Sequence, residues 1–292
     1  MSYPQTNSTV VVDMPRLIRQ ARQARATCVQ LAHDGRVGHV GSALSCVDAI
    51  VALYGGWLNV NESNRGADDR DRFILSKGHA CTALYAVLAQ RGFIPAQWLA
   101  DYACYGKPLS DHPCKHALEL LEMSSGSLGY GLGVAAGMLY GLSLRSVYPR
   151  AAVLMSDGEC NEGSVWEAAM FAAAKQLGNL VALVDYNGIQ AVGRSDEIMG
   201  HTSIEQKFRA FGWAARTING NDMPEVVDAL WSLPLEPDKP SAIVLKTLKG
   251  AGVSFMQDKT LWHYRVPSDE DLQNALDELG EVPWHLARRA CA

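Results

Sequence analysis

The chain has 292 residues, 48% of them apolar and 20% charged, with a formal net charge of −5. That is ample apolar material for one large core, and it excludes a disordered chain. The mild negative balance, with no basic stripe, argues against a nucleic-acid partner. Residues 1–12 read as a flexible arm, too polar at Met1–Asn7 to contain the apolar stretch of a signal peptide. The first helix carries Arg16, Arg19, Arg22 and Arg25, roughly one per turn, as a solvated face or a salt-bridged interface would. Leu128–Leu144 is the most apolar run; seventeen residues are short for a membrane span, and five glycines suggest a closely packed buried helix.

Ala151–Met155 reads as a buried strand that ends at Ser156-Asp157-Gly158-Glu159. Gly163–Leu177 follows as a helix, with Trp166, Met170, Ala173, Ala174 and Leu177 at helical spacing. Leu180–Val184 is a second strand, running into Asp185-Tyr186-Asn187-Gly188-Ile189. Further on, Trp213–Ile218 and Ser241–Leu245 are strand candidates flanking a helix over Met223–Trp231 capped by Asp222. Lys249-Gly250-Ala251-Gly252 is a loop leading to His263, and Ser268 caps a last helix rich in Asp and Glu. No internal repeat appears. Seven cysteines, odd in number and without a CxxC pair, read as reduced thiols of a cytoplasmic protein.

Strand, helix and strand from residue 151 to 184 form one βαβ unit, so its two strands run parallel and the fold is α/β. Asp157 and Asn187 then emerge together beyond the carboxyl ends of the strands, where open α/β sheets bind ligands. One carboxylate, one amide oxygen and a loop carbonyl such as that of Ile189 suit a hard cation such as Mg²⁺. Such an ion wants roughly six oxygens and takes some from phosphates and water. Gly158 and Gly163 allow close backbone approach, and the following helix N-terminus favours an anion. Either turn alone reads as an ordinary loop; their joint placement makes a site for a metal-held diphosphate. His112, Cys114 and His116 suggest zinc, but no second ligand cluster accompanies them and zinc is rejected.

Asp157-Gly158 followed by Asn187 resembles the thiamine-diphosphate motif, and its surroundings resemble the N-terminal half of transketolase. The matching stretches are Gly38–Ser45, Asp71–Ala80, Asp111-His112-Pro113, Gly126–Leu132, Leu177–Leu180 and Trp262-His263. The resemblance spans about residues 13–267 and implies a three-layer α/β/α fold with a mostly parallel sheet, with 268–292 as a helical tail. It implies Asp157, Asn187 and the Ile189 carbonyl as Mg²⁺ ligands, with Ca²⁺ or Mn²⁺ able to substitute. His79, His263 and Gly158 would meet the diphosphate of thiamine diphosphate, and Gly126 and Leu128 its aminopyrimidine. His39, His112 and His263 would handle sugar hydroxyls and their protons, a task suited to groups titrating near neutral pH. Glu162 would sit at a subunit contact, supporting the glutamate that activates the pyrimidine. His33, His116, His201 and His285 have no such support and read as structural or exposed. Two departures are Tyr130, where the family has Gln, and Ser156, where it has Gly; Ser156 either crowds the diphosphate or donates a hydrogen bond to it.

The family also uses a pyrimidine-binding and a C-terminal domain, which have no counterpart in these residues. The expectation is a split transketolase, inactive alone and joined to a separately encoded C-terminal subunit in an α2β2 heterotetramer. It would transfer a two-carbon ketol unit between sugars or sugar phosphates, with no nucleic-acid or membrane partner. The competing readings are the thiamine-binding subunit of a 2-oxo-acid dehydrogenase and a non-catalytic scaffold.

Overall fold

The computed structural model describes residues 12–284. The arm expected over 1–12 lies outside the described residues except for Val12, as do His285 and the end of the tail. Five strands make one all-parallel sheet: β1 (Arg72–Leu75), β2 (Ala151–Ser156), β3 (Leu180–Tyr186), β4 (Ala214–Asn219) and β5 (Ser241–Lys246), in the order β1-β2-β3-β5-β4. In β2, Ala152 and Leu154 join one core, while Ala151, Val153 and Met155 join another; β3 divides in the same way. A sheet buried on both faces needs apolar residues at every position, so its strands appear in the sequence as unbroken runs.

Helices α1 (Met14–Asp34), α2 (Val40–Ala52) and α3 (Cys81–Gln90) contribute to the first core. Helices α4 (Gly131–Ser143) and α5 (Gly163–Ala174) contribute to the second. The short α6 (Ser195–Met199) precedes α7 (Ile204–Ala210), which supplies Ile204 and Phe208 to the second core. Helices α8 (Met223–Trp231) and α9 (Asp269–Leu279) return to the first, completing three layers. Val40–Trp57, running from α2 into a π-helical turn, is apolar and long enough to cross a membrane, but it is 89% buried within this core.

Two sequence expectations change. The buried face of α5 is Val165, Ala168, Ala169 and Ala172, whereas Met170 and Ala174 point outward. The alanines allow close approach to the sheet, and Gln176, at φ 52°, turns the chain after the helix so that Leu177 enters the core from a loop. Helix α4 is not buried all round either: Leu132, Ala135, Ala136 and Leu139 face the core, while Gly133, Val134, Gly137 and Gly141 are exposed. The four arginines of α1 divide between the two readings. Arg16 and Arg19 are exposed, Arg22 Nε donates to the Leu279 carbonyl at 3.1 Å, and Arg25 is buried in an ion pair with Asp48.

The expected caps form. Asp222 accepts from Glu225 N at 3.2 Å, and Ser268 and Asp271 make a reciprocal capping box on α9. Asp222→Ala should remove about 1 kcal/mol of stability, as N-cap losses do. It should appear as a lower urea midpoint with an unchanged slope.

Candidate functional site

The carboxyl ends of β1, β2, β3 and β5 point to one edge of the sheet, and a cavity of about 500 Å³ opens beside them. The cofactor, metal and sugar-handling residues implied by the resemblance all line it: His39, His79, His112, Gly126, Leu128, Asp157, Gly158, Glu162, Asn187, Ile189 and His263; Gly163 does not. β2 and β3 pair Ser156 with Asp185, which sets Asp157 and Asn187 side by side just past the register.

The candidate metal oxygens have distinct supports. Asp157 Oδ2 accepts from the Ser195 hydroxyl at 2.5 Å and from Gly188 N at 3.1 Å, and its Oδ1 accepts from Gly158 N at 3.0 Å. Asn187 Oδ1 accepts from Ile189 N at 3.1 Å, and the Ile189 carbonyl accepts from Lys249 Nζ at 3.1 Å. Burial pushes the Asp157 carboxyl above the usual range, and the nearby Asp185 charge adds to this against the Ser195 hydrogen bond. Asp157 has no ion-pair partner among the described residues. A buried carboxylate without a counter-charge, beside an amide oxygen and a carbonyl, is a donor set that fits a hard divalent cation. Among the described residues no group of three or more His, Cys, Asp or Glu is arranged to hold a metal ion by itself, so the ligand set here would rest on one carboxylate with amide and carbonyl oxygens.

Directly beneath lies a polar hub that the sequence did not reveal. Asp185, fully buried, accepts from Ser45 Oγ at 2.6 Å, from Asn187 Nδ2 at 3.1 Å, and from Lys77 Nζ and Thr247 Oγ1. Burial alone would raise its pKa; the Lys77 charge and these hydrogen bonds outweigh it and hold the group ionised, below its ordinary value. Because the Asn187 amide donates inward to Asp185, its oxygen is the atom left facing the cavity edge. Glu159, also buried, accepts from Gly129 N at 2.8 Å and from Ser76 Oγ, tying the 126–131 loop to the ends of β1 and β2. Ser156 lines the cavity and its hydroxyl oxygen accepts from Glu159 N at 3.1 Å, which leaves its own proton free to donate. Tyr130 is 57% exposed at the start of α4.

Four of the eight histidines meet here. His39 is the middle one, with ring centroids 5.3 Å from His79, 6.3 Å from His112 and 5.2 Å from His263. Its backbone is left-handed (φ 66°), its N–H donates to the His263 carbonyl at 2.8 Å, and its own carbonyl accepts the first N–H groups of α2. Lys249, buried in the Lys-Gly-Ala-Gly loop, reaches His263 Nδ1 at 2.8 Å. An ammonium has no lone pair, so Nδ1 accepts and the proton of a neutral His263 sits on Nε2.

For His39 and His263 the expectation of titration near neutral pH is corrected. Burial, reinforced by His112 and Lys249, lowers His39 to about 4, and burial with Lys249 lowers His263 to about 3. Burial and the Lys77 charge put His79 well below 6.5. Of the remaining histidines, His33 links α1 to α9 through Asp34 and Asp269 at 2.7 and 2.8 Å, and His116 and His201 are exposed.

The fold and this strand-end cavity define a parallel α/β domain of the kind that binds ligands beyond the carboxyl ends of its strands. Comparison with known proteins carries this further. Residues 17–285 match the family model described as the transketolase thiamine diphosphate binding domain. An apulose-4-phosphate transketolase subunit of Phocaeicola vulgatus is 35% identical over 264 residues, covering 90% of this chain and 93% of that one. A 6-deoxy-6-sulfo-D-fructose transketolase subunit of a Clostridium species is 38% identical over 243 residues, covering 83% and 88%. A solved transketolase from Campylobacter jejuni superposes with a TM-score of 0.85 at 25% identity, over 92% of this chain but 43% of that one. The chain belongs to the transketolase family and spans less than half the length of the solved transketolases it matches.

Three predictions test the site physics. Lys77→Met leaves Asp185 buried without its counter-charge and should cost about 3–5 kcal/mol in denaturant unfolding. Asp185→Asn strands the buried Lys77 ammonium and should cost a similar amount; in the protein that does fold, Asn187 loses its orientation, weakening divalent-cation affinity by about tenfold in calorimetry, as losses behind a ligand do. For pH, a histidine with a depressed folded pKa is neutral when folded but protonates when unfolded, so the unfolded state binds more protons between the two values. Stability should therefore fall as pH drops from about 6.5 toward about 4, and His39→Asn should flatten that slope.

Proposed function

We propose that this chain is the diphosphate-binding subunit of a two-component transketolase, cytoplasmic, that works with a separately encoded C-terminal subunit. The observation that carries the reading is the buried Asp157 carboxylate, without a direct ion-pair partner among the described residues, beside the Asn187 and Ile189 oxygens in a cavity ringed by four imidazoles. Asp157, Asn187 and the Ile189 carbonyl would hold Mg²⁺, with Ca²⁺ or Mn²⁺ as substitutes. His79, His263 and the Gly158 backbone would receive the diphosphate of thiamine diphosphate, and Gly126 and Leu128 its aminopyrimidine. The bound cofactor supplies the electron sink for cleaving a carbon–carbon bond next to a carbonyl. Its diphosphate also brings negative charge to imidazoles that burial holds neutral.

His39, His112 and His263 would line the path of a ketose donor. A neutral imidazole presents one donor and one acceptor, so it can hold a hydroxyl while receiving or returning its proton. The Nε2–H tautomer of His263, set by Lys249, makes it a hydrogen-bond donor to the ligand. Glu162, exposed at the cavity rim as N-cap of α5, would meet the partner and help place the glutamate that activates the pyrimidine. The assembly would be an α2β2 heterotetramer passing a two-carbon ketol unit from a ketose or its phosphate to an aldose or its phosphate. Relatives named as transketolase subunits of nearly the same length support the split arrangement over a 2-oxo-acid dehydrogenase component or a scaffold. Their names, apulose-4-phosphate and 6-deoxy-6-sulfo-D-fructose transketolase, support a substrate outside the common pentose phosphates.

In the complex with its partner, Asp157→Ala should abolish Mg²⁺-dependent thiamine diphosphate binding in calorimetry; unchanged affinity would remove Asp157 from the metal site. The chain assayed alone should transfer no ketol unit, and adding the C-terminal subunit should restore transfer. Robust turnover by the lone chain would defeat the two-component reading.

A further inference from the structure

Among the cavity residues used by none of the roles above, Tyr264 stands against the histidines. Tyr264 follows His263, and its ring lies edge-on to His263 at 4.6 Å and to His39 at 5.2 Å. It lines the same cavity, yet it is 62% exposed, and its phenol has no hydrogen-bond partner among the described residues. Its place is fixed from behind. A Cβ on Gly38 would come within 2.6 Å of the Tyr264 carbonyl, and one on Gly41 within 3.0 Å of the Trp262 carbonyl, so the two segments lie backbone against backbone. The His39 N–H bond to the His263 carbonyl closes this seam.

The two neighbours differ sharply in exposure: His263 is 8% exposed and Tyr264 62%, which puts Tyr264 on the solvent side of the wall. The residues fitted to the metal and the diphosphate, Asp157, Asn187 and His263, are buried. A broad aromatic face and an unpaired hydroxyl on the solvent side are matched to a chain of carbons bearing hydroxyls, with C–H groups against the ring and a substrate oxygen at the phenol. Resting on the functional reading above, we propose that Tyr264 is a specificity-determining residue. Its ring forms the outer wall for an open-chain polyhydroxy ketose, and its hydroxyl hydrogen-bonds a hydroxyl of the donor remote from the carbonyl.

The test uses the holoenzyme with its partner chain, comparing wild type with Tyr264→Phe and Tyr264→Ala. Donor KM and kcat are measured, with donor affinity by calorimetry, thiamine diphosphate affinity, and the concentration at which the two chains dissociate. Phe should raise donor KM and weaken donor binding about fivefold, as for one lost hydrogen bond. Ala should raise donor KM at least about tenfold, because the wall goes as well. In both, kcat should change less than KM, and cofactor affinity should hold. A bracing role toward His39 and His263 predicts otherwise: Phe would match wild type and Ala would lower kcat, and that result overturns the proposal. Unchanged donor KM with weaker binding between the two chains also overturns it, assigning the ring to the partner. Wild type that turns over while all three proteins share one donor KM defeats this inference alone; wild type that transfers no ketol unit defeats the functional reading and this inference with it.

Discussion

A carboxylate with no access to water, Asp185, ties the end of the central strand β3 to α2, to the β1 end and to the segment after β5. Removing a charge from water costs several kcal/mol, which a close opposite charge and further hydrogen bonds offset. Lys77, Ser45, Thr247 and Asn187 provide those partners, so the four segments can be buried together only in this arrangement. The same bonds decide which way the Asn187 amide faces. The candidate metal site is thus the upper surface of a network whose lower surface is core.

Much of the scaffold was legible. β2, β3 and β5 begin at the residues their apolar runs mark, and Asp222 and Ser268 cap the helices they precede. Apolar runs report a strand buried on both faces, and caps are local chemistry. The faces of α4 and α5 were not legible, because composition does not say which side meets the sheet. In α5 Val165, Ala168, Ala169 and Ala172 face inward and Met170 outward, so the spacing of Trp166, Met170 and Ala174 did not mark the buried side.

The cavity's residues were legible from spacing and family resemblance, but its electrostatics were not. Lys77, Asp185 and Ser45 stand inside motifs read from the sequence, yet their meeting depends on which strands are neighbours. Lys249 sits in a glycine loop whose buried position no local signal gives. The depressed histidine pKa values arise from shared burial and nearby ammonium groups, which are properties of the assembled wall. Neutral imidazoles beside the Lys77 and Lys249 ammonium groups can hydrogen-bond a ligand without adding charges of their own to be desolvated.

The backbone of His39 narrows what position 39 can become. A left-handed conformation costs most side chains of order 1–3 kcal/mol, and branching at the β-carbon makes it worse. Library variants at this codon should be dominated by asparagine and glycine, whose main chains tolerate the twist. An engineer reshaping the wall would do better to start from its neighbours, where the main chain is relaxed, than from the histidine at its centre.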